Sequence, residues 1–423
     1  MLTTLTTMCL LAAPPASAAQ PGARANPGVV ESPNPEWDDA WPALEAPILT
    51  NHRQITRRED FLKAGEAYFD PTGTRVIFQA IPVPPEGEEP GEHYTMYVST
   101  LPEEASDRLT LIAPVSAPGS ANTCGWFHPT EPGTILLGTT TTPPAEPNAP
   151  GYQRGTGRYK WDFPREMDIV RLTGDVAAVM STTGGTYRFM EQSREALVSR
   201  DGYDAEGTWS PDGRFVLYTH CEPGSNDGDL WVLDTTDGSH TPLVTAEGYD
   251  GGPFFSPDGT RITYRSDRRG DNLLQVFVAD LVFDADTGTI TGIERETQLT
   301  DNEHVNWCPF FSPDGKYLFY ATSELSHANY EVFAVSAKAD EPYRPRIRVT
   351  KARGFDGLPV FSPDGTKMMW TAQRGPQAEG DARPTSQLWL ADYNHAAFVR
   401  AYQEARKKLV EEEMMRAFEE AQP

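Results

Sequence analysis

Between about residue 60 and residue 394 the chain alternates short apolar–polar runs with turns, a period-two pattern that predicts β-strands and not helices. The sharpest turn, SPDG, is written four times, at Ser210–Gly213, Ser256–Gly259, Ser312–Gly315 and Ser362–Gly365. Pro fixes φ at the second position, Asp can cap nearby amides and Gly supplies a positive φ, so each copy joins two antiparallel strands. An aromatic pair or its equivalent precedes each copy: Thr208-Trp209, Phe254-Phe255, Phe310-Phe311 and Val360-Phe361. An alternating strand follows each, from Arg214, Thr260, Lys316 and Thr366. Weaker copies occupy the same slot from Tyr68 (YFDPTGTRVIFQ) and Trp126 (WFHPTEPGTILLG).

Every unit continues with a third strand: Met96–Ser99, Asp168–Leu172, Asp229–Leu233, Gln275–Ala279, Glu331–Val335 and Gln387–Ala391. A fourth strand begins at Arg108, Ala196, Thr241, Thr297 and Arg346, but none follows the sixth unit. The missing strand has its pattern at the other end of the chain, in HRQIT, His52–Thr56. Four-stranded repeats whose last strand comes from the opposite terminus predict an all-β fold, a six-bladed β-propeller closed by an N-terminal strand. Borrowing that strand removes the raw edges of a linear array. The motif prolines (71, 129, 211, 257, 313, 363) are spaced 58, 82, 46, 56 and 50 residues apart. The second interval therefore holds an insertion, expected at Pro143–Pro164, with Tyr152, Tyr159 and Trp161 folding over a channel opening.

The repeat resembles the TolB-like, WD-related SPDG propellers of the bacterial periplasm, over about residues 50 to 394. The stretches GYDAEG (202–207), GYDGGPFFSPDG (248–259) and GFDGLPVFSPDG (354–365) carry the likeness most closely. It implies an exported propeller that serves as a protein-binding scaffold, a substrate gate or, less often, an enzyme.

Composition adds direction. A net charge of −25 with no Lys/Arg-rich run argues against nucleic acid and toward cations or basic proteins. The apolar run Met8–Ala13 before Ala16-Ser17-Ala18 reads as a signal peptide, although no basic residue precedes it. The expected organisation is a signal peptide over 1–18, a Pro-rich linker over 19–48, the propeller over 49–394 and an amphipathic C-terminal helix over 395–423. The mature chain, periplasmic or secreted, would keep Cys124, Cys221 and Cys308, too few for a disulfide framework. No later run approaches the roughly 18 apolar residues of a membrane span.

Equal offsets from the turn give equal heights around a pseudo-symmetric axis. Seven residues before each motif proline stand Ala64, Asn122, Asp204, Asp250, Asn306 and Asp356; two residues later stand Glu66, Cys124, Glu206, Gly252, Cys308 and Leu358. Asp204, Asp250 and Asp356, with Asn122, Asn306, Glu66 and Glu206 as helpers, are therefore expected to face one channel mouth. Three readings stay open: turn caps, an oxygen cage for a cation such as calcium, or a rim for a partner's basic group. Cys124 and Cys308 come from opposite blades, beyond disulfide reach.

Nucleophile elbows, zinc helices, P-loops and dinucleotide fingerprints are missing from the sequence. His220 and His304 have no ligand at metal spacing and read as solvated loop residues; SDRRG, Ser266–Gly270, reads as a structural loop whose charges pair with neighbouring blades. Along His395–Ala421, Phe398, Tyr402, Ala405 and Leu409 share a helical face, and Met414, Met415 and Phe418 continue it with drift. That helix either packs on the propeller or docks elsewhere. The expected function is a non-catalytic scaffold binding a protein or peptide at the channel mouth. The alternative is a calcium-dependent hydrolase or lyase of the lactonase-like type.

Overall fold

The computed structural model describes residues 40–102, 106–145, 151–153, 158–160, 163–181 and 187–420. The expected signal peptide and most of the expected linker lie outside the described residues, as does Trp161.

Six four-stranded antiparallel sheets form a six-bladed propeller. Their innermost strands are Phe61–Phe69, Asn122–Phe127, Tyr203–Trp209, Asp250–Phe255, Asn306–Phe311 and Asp356–Phe361, which define blades 1 to 6. In blade 6 the three strands Asp356–Phe361, Lys367–Ala372 and Gln387–Tyr393 are completed by Leu49–Gln54 from the other end of the chain. Arg53 stands opposite Leu390 and Gln54 opposite Trp389, and the Ile55 amide donates to Leu388 O at 2.8 Å. The expected closure is thus present, shifted a few residues toward the N-terminus.

The SPDG turns explain their own recurrence. In each, the Ser hydroxyl donates to the Asp carboxylate at 2.5–2.7 Å, and that carboxylate accepts the amide two residues beyond it at 3.0–3.1 Å. The Ser oxygen also accepts the amide that opens the next strand, at 2.9–3.0 Å. Blade 1 replaces the Ser with Asp70, which caps the Thr74 and Arg75 amides; blade 2 uses His128, which accepts the Glu131 amide. A turn satisfied from within needs no help from its neighbours, so it can be repeated unchanged around a ring.

Two features differ from the sequence reading. The long second interval has two causes: besides the excursion at 143–164, the outer strands of blade 2, Asp168–Ser181 and Tyr187–Val198, run on as a two-stranded ribbon past the sheet. Alternation alone did not separate the ribbon from the blade, because both are paired strands. The last linker residues are also folded. Trp41–Glu45 is a short helix, and Glu45 is buried against Arg374 and His52.

The C-terminal helix, His395–Glu420, buries Ala397, Phe398, Tyr402, Ala405 and Leu409. Phe398 meets Tyr317 and Phe319 of blade 5 at ring-centroid distances of 4.9 Å. The first half of the helix therefore packs on the flank of blades 5 and 6, while Met414, Met415 and Phe418 remain exposed. No described helix is long and apolar enough to cross a membrane.

Candidate functional site

Each innermost strand carries a β-bulge at the same place, and the residue there has a left-handed backbone: Glu66, Cys124, Glu206, Gly252, Cys308 and Leu358, with φ between +44° and +59°. Left-handed non-glycine residues are uncommon, and five of them at one position around six blades mark a built feature. The bulge turns this column toward the channel and leaves the column before it inside the blades.

The bulge residues meet one another across blade boundaries. Cys124 Sγ donates to Glu66 Oε1 at 2.8 Å, the Gly252 amide donates to Glu206 Oε2 at 2.6 Å, and the Leu358 amide contacts Cys308 Sγ at 3.1 Å. Arg265, from the second strand of blade 4, enters the channel and donates to Glu206 Oε1 at 2.7 Å. It fits because its own blade presents a glycine: a Cβ on Gly252 would lie 1.8 Å from Arg265 Nη1. Glu206 also accepts the hydroxyls of Tyr249 at 2.8 Å and Thr219 at 2.9 Å.

These partners set the protonation states. Burial works against an ionised Glu206, but Arg265, the Gly252 amide and the two hydroxyls outweigh it and hold the carboxyl below its ordinary range. At Glu66 burial wins, with Glu206 adding to it, and the carboxyl is lifted despite the bonds from Cys124 and Tyr68. Burial and the nearby carboxylates push the Cys124 thiol well up; burial takes Cys308 to about 12. Cys124, Cys221 and Cys308 are all free, and Cys124 and Cys308 are held as thiols, unsuited to nucleophilic work near neutral pH.

The other expected ring residues face elsewhere. Asp204, Asp250 and Asp356 are 0–1% exposed. Each is paired close to its own blade: Asp204 with His220 Nδ1 at 2.8 Å, Asp250 with Arg268 at 3.2 Å, Asp356 with Arg374 at 2.6 Å and the Trp370 indole at 2.9 Å. Asn122 accepts from Thr139 and donates to Tyr94 O; Asn306 donates to Asn302 and Gln275. Of the expected set, Glu66 and Glu206 bond across blade boundaries to Cys124, the Gly252 amide and Arg265, and the remaining five are buried and bonded to neighbouring strands and loops. Among the described residues no group of three or more His, Cys, Asp and Glu is placed to hold a metal ion.

His220, expected in solvent, is buried by this pairing. In SDRRG, Arg268 pairs within its own blade with Asp250 and Glu296, and Arg269 reaches Asp301 in the connection to blade 5. Arg265 was missed from the sequence because only inner-strand columns were aligned. The same column of the second strand holds Thr219, which donates to Glu206, and Thr371, which accepts the Glu66 amide.

Burial, only partly offset by Ser266 and Arg268, raises Asp250 to about 6, and its Oδ2 has no hydrogen-bond partner. A folded-state value above the unfolded 3.8 makes the ionised group a cost that grows as pH rises from about 4 to 6 and then stays constant. Asp250→Asn removes that cost. The variant is expected to match the parent near pH 4 and to gain on the order of 1–3 kcal/mol at pH 7.5. Denaturant melts at both pH values check this, and a loss of stability at pH 7.5 contradicts it.

Phe163, near the end of the excursion at 143–164, stacks on Tyr203 at 4.3 Å and Tyr249 at 5.5 Å; Tyr152, Tyr159 and Trp161 lie outside the described side chains. At the SPDG end, Tyr68, Trp126, Phe254 and Phe310 meet across the axis at 4.7–6.3 Å. They floor a depression of about 290 Å³ to which every blade contributes. The exposed SPDG aspartates Asp212, Asp258 and Asp364 follow directly on Pro211, Pro257 and Pro363 of its lining.

No family model and no curated protein matches the chain. Solved structures do. A TolB structure from Agrobacterium tumefaciens is 17% identical over 81% of this chain and 97% of that one, with a TM-score of 0.44. TolB from Acinetobacter baumannii is 18% identical over 76% of this chain and 64% of that one, at 0.45. The β-propeller domain of Cps50 (Swd1) from Myceliophteria thermophila is 11% identical over 82% and 99%, at 0.47. The six blades of this chain stand on its own strand pairing.

Proposed function

We propose that this protein is an exported, non-catalytic propeller that binds a protein or peptide partner at the SPDG-side mouth of its channel. The observation that carries the reading is the aromatic depression, shared by all six blades, with exposed aspartates next in sequence to three of its lining prolines. An apolar floor within a polar rim is the anatomy of a protein-binding patch, where an anchoring side chain fills the pocket and rim charges select the partner. The rim's sign favours a partner segment with an apolar anchor flanked by Lys or Arg. The channel's own charged groups support a scaffold over a catalyst, since Glu206 is neutralised by Arg265 and the channel thiols stay protonated. Export rests on the apolar run and small-residue site at the N-terminus.

The test is affinity capture from cell-envelope extract with the parent protein and with Asp258→Lys/Asp364→Lys, compared at a temperature where melting shows both folded, because each carboxylate also caps its own turn. A partner retained by the parent and lost from the variant supports the reading. Equal recovery by both, or nothing above blank resin, overturns it.

A further inference from the structure

The distal half of the C-terminal helix has no support from the propeller. Leu409 is its last buried residue, so the helix continues for about 16 Å beyond its own packing, at ~1.5 Å per residue. Met414, Met415 and Phe418 are 66%, 61% and 64% exposed there. Three large apolar side chains on two successive turns are costly to leave in water, and an unsupported helical extension of this length is marginal by itself.

Beside the proximal half of the same helix lies a groove of about 390 Å³, walled by Ala397, Ala401 and Ala405 on one side and by Leu44, Pro47 and Val349 on the other. The alanines make it shallow enough to accept large side chains from outside. Its basic residues include Arg400 and Lys408, and neither makes an ion pair among the described residues. The helix tip has the opposite charge: Glu411, Glu412, Glu419 and Glu420 surround its apolar residues.

At 100° per residue, Ala397, Ala401, Lys408, Met415 and Glu419 fall on one stripe, so groove and tip share a face of one helix. A face with a receptive half and an inserting half is self-complementary when a second copy lies antiparallel to it. One register sets Glu419 against Arg400, Glu411 against Lys408 and Phe418 against Ala401, and the twofold axis repeats every contact.

We propose that two copies of this chain form a symmetric dimer through antiparallel C-terminal helices, each tip filling the other's alanine-walled groove. The reading is independent of what binds at the channel mouth.

Sedimentation equilibrium or light scattering on the full chain at 1–100 µM, about the range in which moderate-sized interfaces associate, reads the mass directly. A mass of twice the chain is expected. Met415→Glu/Phe418→Glu should be monomeric with an unchanged melting profile, because both side chains are already exposed. Arg400→Glu and Glu419→Arg should each weaken the dimer about tenfold, and their combination should restore it. A monomer at 100 µM, a dimer that survives Met415→Glu/Phe418→Glu, or a charge swap that fails to recover association each overturns the proposal.

Discussion

A chain beginning at residue 57 should not give a cooperatively melting propeller. The lost segment supplies the outer strand of blade 6, with Leu49 and Ile55 almost fully buried, and the Thr56 hydroxyl that accepts the Leu388 amide. It also removes Glu45 from Arg374, a guanidinium 1% exposed and shared between Glu45 at 3.0 Å and Asp356 at 2.6 Å. Burial works against an ionised Glu45, but Arg374 and His52 outweigh it, holding the carboxyl below its ordinary range. Trp41 closes the arrangement by lying over the guanidinium, 4.3 Å from its ring centre. Truncation thus exposes the edge of Gln387–Tyr393 and strips a buried cation of one carboxylate, each costly alone. Calorimetry is expected to show no sharp transition, and a peptide spanning 40–56 added in trans should restore one. A truncated chain melting within a few degrees of the parent would refute the latch.

The second large effect lies in the channel. Arg265→Met leaves the buried Glu206 without its cation, a loss of about 3–5 kcal/mol. The remaining donors from Gly252, Tyr249 and Thr219 moderate the cost without removing it. Combining it with Glu206→Gln takes away the stranded charge, and the double variant should be more stable than Arg265→Met alone. Urea melts of the parent, both single variants and the double variant give the coupling between the two groups. Strict additivity would mean that the pair contributes nothing.

The fold was legible because the repeat is written at several levels at once. The turn, the aromatic pair, the alternating second strand and the displaced HRQIT strand all demand the same ring. The channel was less legible for a definite reason. Offsets from the turn fix the height of a side chain along the axis but not the side it faces, and one bulge reverses that side. Asp204, Asp250 and Asp356 are buried and paired within their own blades, while Glu66 and Glu206, two residues on, make contacts to the next blade through Cys124 and the Gly252 amide. Each bracing aspartate also has a partner some distance downstream, Arg268 for Asp250 and Arg374 for Asp356, which a search for converging acids passes over. Cys124 and Cys308 were rightly read as unbridged. Phe163 escaped notice because nothing local distinguishes it from Tyr152, Tyr159 and Trp161 nearby.

The pairing of Gln54 with Trp389 has a consequence for how the chain reaches its native state. Blades 1 to 5 complete themselves from nearby sequence, whereas blade 6 must wait for two strands from opposite ends of the propeller. Loop-closure entropy rises only logarithmically with separation, so the distance adds little to the equilibrium cost, but contacts this remote are slow to find. Until they form, the blade array presents an unpaired strand at each side, and those two strands match each other as well between molecules as within one. Closure within one chain and exchange between two thus compete during folding, with protein concentration deciding the ratio and domain-swapped oligomers as the product of losing that race.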